Sequence, residues 1–247
     1  MEPSTSDFDW TSCALSHVGH VRNTNEDAFL ERRELGLWAV ADGMGGHAAG
    51  DVASRLVVES LGTFTPSASV SDSIDCIEDR LIEANRRCLA IVEDSEIRQG
   101  MGSTAAVLFV SGHYSFVLWA GDSRIYRLRG SELRQLTEDH SMVQEMFALG
   151  HLTMEEAESH PSANIITRAV GVAEHLFVDI ECSRVEAGDR FLLCSDGLTR
   201  DLRDAEVSEL LGQGSPTQAC QTLLSTALEH GGGDNTTVIV VEAGQRT

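Results

Sequence analysis

The sequence is poor in basic residues. Of its 247 residues, 18 are lysine or arginine and 39 are aspartate or glutamate, which gives a formal charge of −21. Nucleic-acid binding rests on basic side chains that neutralise phosphates, so this balance excludes a nucleic-acid-binding protein. An acidic surface keeps a protein soluble, but it also repels any anionic substrate. Bound divalent cations would reverse that repulsion locally.

Closely spaced cysteines are also missing. No two of the six cysteines form a C-x-x-C pair, and all lie far apart: Cys13, Cys76, Cys88, Cys182, Cys194 and Cys220. This spacing excludes the usual zinc sites and a disulfide framework. Several cysteines lie in apolar runs, so we predict buried free thiols.

Long hydrophobic runs are absent, although 42% of the residues are apolar. Every apolar run is short and is broken by Gly, Asp or Ser, which excludes a membrane-spanning helix. Residues 1–7 lack the basic start and the apolar stretch of a secretory signal, so we predict a cytoplasmic protein. The length and the apolar content fit one large globular domain.

The sequence lacks several familiar catalytic motifs. The glycine-rich stretch 43–50 has neither the G-K-[ST] ending of a P-loop nor the G-x-G-x-x-G pattern of a dinucleotide site. The histidines show no H-E-x-x-H spacing, and no G-x-S-x-G nucleophile motif is present. Glycine in such a stretch lets a backbone carbonyl approach a metal closely. His47 is a candidate ligand or acid, and a surface position at a helix start explains it equally well.

Hydrophobic periodicity predicts helices and strands that are grouped along the chain. The predicted helices have apolar residues at helical spacing and lie at 49–61, 73–93 and 216–229. The predicted strands are short apolar runs at 36–41, 104–110, 114–120, 123–128, 190–194 and 236–241. This grouping favours an antiparallel, layered α+β domain over alternating βαβ units.

Residues 139–171 have a different character. They are polar and contain histidines, with weak helical signals only over 142–149 and 154–159. We interpret this segment as a mobile subdomain or flap. Neither an internal repeat nor a low-complexity linker divides the chain.

Apolar strands stop repeatedly at an aspartate that a small residue follows. The pattern occurs at Asp42, Asp122 and Asp196, whereas Asp234 precedes a strand. A single Asp-Gly pair is usually a tight turn, and that interpretation stays open for each of them. If the strand ends converge at one rim of a sheet, the carboxylates repel one another and their pKa values rise. Mg²⁺ or Mn²⁺ would relieve that repulsion, so a metal site is the second interpretation.

Six short motifs then occur in a fixed order. They are Arg22-Asn23-Thr24-Asn25-Glu26-Asp27, Asp42-Gly43-Met44-Gly45-Gly46-His47, Met101-Gly102-Ser103-Thr104, Gly121-Asp122-Ser123-Arg124, Ser195-Asp196-Gly197-Leu198 and Gly233-Asp234-Asn235-Thr236. Together they resemble the ordered motif set of the PPM, or type 2C, metal-dependent protein phosphatases, and most of all the compact bacterial ones. Residues 165–171 also resemble the segment that follows this family's flap. Each motif alone is weak, but six in order over about 18–241 are specific.

The resemblance implies a fold and a cofactor. The fold would be a four-layer α-β-β-α sandwich of two antiparallel sheets flanked by helix pairs. It would form a single phosphatase domain over residues 8–244, with the flap-like subdomain at about 139–171. Two or three Mn²⁺ or Mg²⁺ ions would bind in a cleft at one edge of the sandwich.

The resemblance also implies roles for individual residues. The metal ligands would be Glu26, Asp27, Asp42, the Gly43 carbonyl, Asp122, Asp196 and Asp234. Asp42 would bridge two ions, and Asp122 with Asp196 matches a third ion site of bacterial members. Arg22 would bind the phosphoryl oxygens, a bidentate task that suits its planar guanidinium. Asn235 would help to orient phosphate or water, and Arg22, Asp42 and Asp196 would form the catalytic set.

The implied reaction is attack of a metal-activated hydroxide on the phosphorus of phosphoserine or phosphothreonine. No covalent intermediate is needed, so no thiol has to act as a nucleophile.

One residue departs from the pattern, because some family members carry a histidine where this chain has Met44. Methionine cannot donate a proton to the leaving group. The proton donor therefore stays open, with a metal-bound water or His47 as alternatives.

The resemblance implies a phosphorylated protein as partner, either a bacterial Hanks-type Ser/Thr kinase or the targets of one. It also implies a monomer without nucleic-acid or membrane partners. The flap would determine substrate selectivity, as mobile loops beside a rigid site often do.

The alternative is a catalytically inactive, phosphatase-like regulatory module, but all matched aspartates and the arginine are present. A calcium-binding structural domain would need a D-x-D-x-D-G loop, which the chain lacks.

Overall fold

Eleven strands form two antiparallel sheets in the computed structural model, which describes residues 8–45, 49–94, 100–153, 156 and 160–245. The first sheet has the strand order β1-β11-β10-β7-β8. Its strands are β1 (Phe8–His17), β7 (Arg124–Arg129), β8 (Glu132–Gln135), β10 (Arg190–Cys194) and β11 (Thr236–Gln245). The second sheet has the order β2-β3-β5-β6-β9, and β4 pairs with β3 beside it. Its strands are β2 (Asp27–Arg32), β3 (Leu37–Met44), β4 (Gly102–Ser103), β5 (Ala105–Ser111), β6 (Tyr114–Ala120) and β9 (Asp179–Arg184).

The described helices belong to two groups and a separate short one. The first group is α1 (Ala49–Gly62) and α2 (Val70–Asp94), and the short helix is α3 (Met142–Ala148). The second group is α4 (Asp196–Asp201), α5 (Asp204–Leu211) and α6 (Pro216–His230). The start of α6 shows how the sequence defines these bounds. Ser215 accepts a hydrogen bond from the Gln218 amide, the Gln218 side chain binds back to Ser215, and Pro216 occupies the first turn.

Three buried apolar layers hold these elements together. Leu61, Ile77 and Leu81 pack α1 and α2 against the second sheet. Trp38 and Phe191, among others, fill the space between the two sheets. A further apolar layer packs the second helix group against the first sheet. The layer order is therefore α-β-β-α, and the predicted α+β fold class is confirmed.

Most of the predicted elements are present with small shifts at their ends. The strand predicted over 190–194 has the same bounds as β10, and the helix predicted over 49–61 is α1. The weak helical signal over 142–149 is α3, whereas most of 154–159 lies outside the described residues. Sequence periodicity missed β1, β2, β4, β8, β9, α4 and α5. None of the described helices is long and apolar enough to cross a membrane.

Candidate metal centre

Five aspartates meet where the two sheets come together, and we call them the carboxylate cluster: Asp27, Asp42, Asp122, Asp196 and Asp234. Asp27 begins β2, and Asp42 lies within β3. Asp122 follows β6, Asp196 begins α4 directly after β10, and Asp234 precedes β11. The prediction that these strand ends meet at one rim of one sheet is therefore wrong in one respect. Both sheets contribute aspartates to the cluster, and β3 continues past Asp42 to Met44.

Asp27 and Asp42 stand directly opposite each other in the antiparallel pair β2 and β3. Residues in this position share one face of the sheet, and two like charges there destabilise the pairing. Burial and the charges of Asp27 and Asp196 raise the pKa of Asp42 well above its usual range. A cation between the two strands would remove this repulsion.

Hydroxyl groups fix Asp27 between the sheets. Its Oδ2 accepts hydrogen bonds from Ser195 Oγ and Thr237 Oγ1, both at 2.7 Å. Ser195 and Thr237 belong to the first sheet and its connection, so these bonds tie that sheet to β2 of the second. The Oδ1 atom of Asp27 is buried and has no hydrogen-bond partner among the described residues. Burial raises the pKa of Asp27 to about 7, although the two hydroxyl bonds oppose that rise.

Asp122 is tethered to Asp42 through neighbouring hydroxyls. The Asp42 amide donates to Thr104 Oγ1 at 2.9 Å, and Thr104 Oγ1 lies 2.7 Å from Ser123 Oγ. Asp122 itself is buried, and its Oδ1 also has no hydrogen-bond partner within the described part of the chain. Burial, with the charges of Asp196 and Asp139, raises its pKa to about 7.

The start of α1 packs tightly against Gly43. A Cβ atom at Gly43 would lie 2.1 Å from the Gly50 carbonyl oxygen and 2.6 Å from that of Glu26. Only glycine fits there, because both obstructing atoms belong to the backbone. Glu26 lies beside this contact, and burial raises the pKa of its carboxyl group. The predicted ligands Glu26 and Gly43 thus lie next to Asp42.

Two arginines contact the cluster. Arg22 is exposed and binds Asp234 through Nε and Nη2, each at 2.8 Å. Arg200 donates from Nη1 to Asp234 Oδ2 at 2.7 Å and from Nη2 to Asp196 Oδ2. Sequence reasoning missed Arg200, although it stands four residues after Asp196. That spacing becomes informative only once the short helix α4 is known.

Asn235 has a different place from the one predicted. Its Nδ2 donates to the carbonyl oxygens of Val18 and Thr24, at 2.9 and 3.0 Å, and its Oδ1 accepts from the Glu26 amide at 2.8 Å. Both amide hydrogens are therefore used within the protein, and the side chain is buried. Asn235 holds the segment that carries Arg22 and Glu26 against β11. Phosphate binding by Asn235, as we predicted it, does not agree with this geometry.

The donor set fits hard divalent cations. Carboxylate oxygens predominate, two of them are buried without a partner, and burial raises four aspartate pKa values. In the described part of the chain, no three Asp, Glu, His or Cys side chains already converge on one point as metal ligands. The arginine contacts with Asp196 and Asp234 supply part of the counter-charge instead. Met44 is half-buried at the end of β3, and His47 lies outside the described residues.

This geometry agrees with the family to which the chain belongs. The chain is a member of the protein phosphatase 2C family, whose sequence profile matches residues 16–229. The predicted enzyme class, a metal-dependent phosphoprotein phosphatase, is thereby confirmed, and the inactive-module alternative is not favoured.

Characterised relatives match over most of this chain. Protein phosphatase PhpP of Streptococcus pneumoniae serotype 2 is 36% identical over 237 residues, which cover 92% of this chain and 95% of PhpP. Serine/threonine protein phosphatase PstP of Mycobacterium tuberculosis is 37% identical over 229 residues, which cover 93% of this chain and 44% of PstP.

Solved structures of the family have the same fold. PppA, described as a key regulatory component of the T6SS in Pseudomonas aeruginosa, superposes with a TM-score of 0.87 at 41% identity, covering 95% of this chain and 97% of PppA. The catalytic domain of PstP in complex with two manganese ions gives a TM-score of 0.86 at 35% identity, covering 95% of this chain and 98% of that domain.

Proposed function

We propose that this phosphatase hydrolyses phosphoserine and phosphothreonine esters of proteins at the carboxylate cluster. The observation that carries the proposal is the pair Asp27 and Asp42, which face each other across two strands with raised pKa values. The names of PhpP and PstP support the substrate class, since both are protein phosphatases and PstP is a serine/threonine phosphatase.

The cluster would hold two or three Mn²⁺ or Mg²⁺ ions. Asp27, Asp42, Asp196 and Asp234 would hold two of them, with Glu26 and the Gly43 carbonyl beside them, and Asp122 with Asp196 would hold a third. When bound, such ions lower the pKa of water and neutralise negative charge on a phosphoryl group. The chain itself keeps the oxygen ligands in place through the hydroxyls of Ser195, Thr237 and Thr104.

Arg22 is the residue that we assign to the phosphoryl oxygens. Its side chain is 54% exposed, and its guanidinium is held against Asp234 by two hydrogen bonds. Five N–H donors in one plane suit a tetrahedral oxyanion, and the two bonds to Asp234 leave donors free for it. Asp234 would thus set the direction in which Arg22 meets the substrate.

The segment at about 139–171 would determine which phosphoproteins are accepted. Its helix α3 has no buried residues, and the bridges Ser141 to Ile166 and Ser103 to Val170 fix its two ends. A segment anchored at both ends with an exposed middle offers a surface to a protein substrate. Exchange of residues 142–165 for those of a relative should change the preference among phosphopeptides, and an unchanged preference would refute this assignment.

A bacterial Hanks-type kinase, or its phosphorylated targets, would be the protein partner. PppA is described as a regulatory component of a secretion system, which supports a signalling role for this chain as well. Residues 8–244 would act as one domain, because the apolar layers continue from β1 to β11. The monomeric state and the cytoplasmic location stay predictions.

The decisive experiment is hydrolysis of p-nitrophenyl phosphate and of a phosphothreonine peptide, with and without Mn²⁺. Asp42→Asn and Asp196→Asn should lose metal-dependent turnover, since each removes a ligand charge. Asp9→Asn changes an exposed aspartate on β1 and should behave like the wild type. If the wild type stays inactive on both substrates with Mn²⁺ or Mg²⁺, the inactive regulatory module becomes the better description.

A further inference from the structure

Arg200 links two carboxylates of the cluster. It lies four residues after Asp196, so one turn of α4 brings its guanidinium back to that carboxylate. The other arm of the guanidinium reaches Asp234 at 2.7 Å. Arg200 therefore joins the start of α4 to the segment just before β11 through two ion-paired hydrogen bonds.

The contacts leave the Asp234 carboxylate without a free acceptor position. Its Oδ2 accepts from Arg22 Nη2 and Arg200 Nη1, and its Oδ1 accepts from Arg22 Nε and the Asn235 amide. A carboxylate offers about four lone-pair positions. A metal ion can bind Asp234 only after one of these donors leaves.

Release of Arg200 would free acceptor positions on more cluster carboxylates than release of Arg22 would. Arg200 contacts two cluster carboxylates, and its side chain is 38% exposed, whereas Arg22 contacts one and is 54% exposed. An arginine stays charged at every physiological pH. Deprotonation therefore cannot remove its charge from the cluster.

We propose that Arg200 is an internal cation that competes with divalent ions for Asp196 and Asp234, so that metal binding requires release of its guanidinium. The proposal rests on the metal-dependent function proposed above. The competition raises the free concentration of the divalent ion at which the site fills, and with it the concentration that activity requires. The same contacts hold the start of α4 against the segment just before β11.

Calorimetric titration of the metal-free protein with Mn²⁺ tests the competition. Arg200→Gln should bind Mn²⁺ about fivefold more tightly than the wild type, which is the factor that about 1 kcal/mol represents. Arg200→Lys should fall between the two, because an ammonium group is a point charge without the planar fork of arginine.

Arg55→Gln is the matched control. Arg55 forms an ion pair with Asp51 at the same i, i+4 spacing, but on α1. Its loss removes one positive charge from the protein, as the loss of Arg200 does. We expect the affinity of Arg55→Gln for Mn²⁺ to stay within about twofold of the wild type.

Thermal unfolding in EDTA provides a readout that does not involve activity. Arg200→Gln should unfold at a lower temperature than the wild type, because Asp196 and Asp234 lose a counter-charge. Saturating Mn²⁺ should remove or reverse that difference. Arg55→Gln should show no such dependence on the metal.

The outcomes separate this proposal from the proposed function. If wild type and variants all fail to bind Mn²⁺, the metal site itself is refuted. If Mn²⁺ binds and drives hydrolysis but Arg200→Gln and Arg200→Lys have the wild-type affinity, only the competition is refuted. Equal tightening in Arg200→Gln and Arg55→Gln would also refute it, since the effect would then come from net charge alone.

Discussion

Gly43 lies beside the carboxylate cluster at a position where the surrounding backbone leaves no room for a side chain. Substitution to alanine would place a Cβ atom 2.1 Å from the Gly50 carbonyl oxygen, so either β3 or the start of α1 must move. We expect Gly43→Ala to lower the unfolding free energy by about 1–3 kcal/mol, as overpacking generally does. Weaker Mn²⁺ binding should accompany it, because Asp42 is the neighbouring residue. Urea unfolding and metal titration measure both effects.

Gly62→Ala is the control for that substitution. Gly62 ends α1, and a Cβ atom there would meet no atom within 4 Å. Replacement of a glycine by alanine in unstrained helical backbone raises the unfolding free energy of a protein by up to about 1 kcal/mol. Loss of stability in Gly62→Ala equal to that in Gly43→Ala would contradict the packing argument.

Asp122 makes the stability of the metal-free protein depend on pH. Burial raises its pKa from 3.8 to about 7, so the folded protein keeps a proton over a range in which the unfolded chain has lost it. The stabilisation is present at low pH and disappears as the pH rises through about 7. In EDTA, the midpoint of thermal unfolding should therefore be higher at about pH 5 than at about pH 8.

Asp122→Asn isolates this contribution. The variant carries no titratable group at the position, so its unfolding midpoint should fall less between the two pH values. At about pH 8 the variant should be the more stable protein in EDTA, because the buried charge is gone. Asp9→Asn should follow the wild type. Parallel pH profiles for the wild type and Asp122→Asn would refute the explanation.

At the scale of elements, Arg129 joins the two sheets at the end of β7. It donates to both carboxylate oxygens of the fully buried Asp189, each at 2.7 Å, and to the Arg184 carbonyl oxygen at the end of β9. Arg129→Gln leaves the buried charge of Asp189 without its cation. We expect a loss of about 3 kcal/mol of unfolding free energy, measured in urea.

Arg86→Gln supplies the comparison. Arg86 pairs with Glu83 on the exposed face of α2, where both side chains are largely accessible to water. Such pairs contribute less than about 1 kcal/mol. Similar losses in the two variants would mean that Asp189 finds another partner when Arg129 is absent.

Elements with a strong local pattern could be predicted from the sequence, and those defined by distant pairing could not. The helix α1 and the strand β10 are continuous in their apolar pattern and were predicted with nearly the observed bounds. The edge strand β9 alternates between half-buried and exposed residues, and β1 pairs with β11 more than 200 residues away. These segments are strands because of the strands with which they pair, and local periodicity carries no information about those partners.

The same distinction applies to the site. Four of the five cluster aspartates stand at the end or the start of an apolar run, so the sequence indicated Asp42, Asp122, Asp196 and Asp234 one by one, whereas Asp27 came only from the resemblance. It could not show that they come from two sheets, because sheet membership depends on tertiary pairing. The place of Arg200 depends on α4, a helix of six residues that is too short to have a periodic pattern.

For the whole molecule, the net charge of −21 allows a comparison of specific and general cation effects. Mn²⁺ at about a hundred times its Kd should raise the unfolding free energy by about 2.7 kcal/mol per independent site. NaCl at the same ionic strength only screens the repulsion among surface carboxylates and should stabilise the protein much less. Asp42→Asn should lose the Mn²⁺ effect and keep the NaCl effect. Equal stabilisation by both salts would contradict a specific site.

The link from Ser195 and Thr237 to Asp27 has a consequence for breathing motions of the protein. These hydroxyl bonds cross the interface between the sheets, and ions bound at the cluster would hold the two sheets together at the same edge. Backbone amides in β2 and β11 should therefore slow their exchange with deuterium together when Mn²⁺ is added, although the two strands belong to different sheets. Removal of the ions by a chelator would then speed amide exchange in both sheets at once.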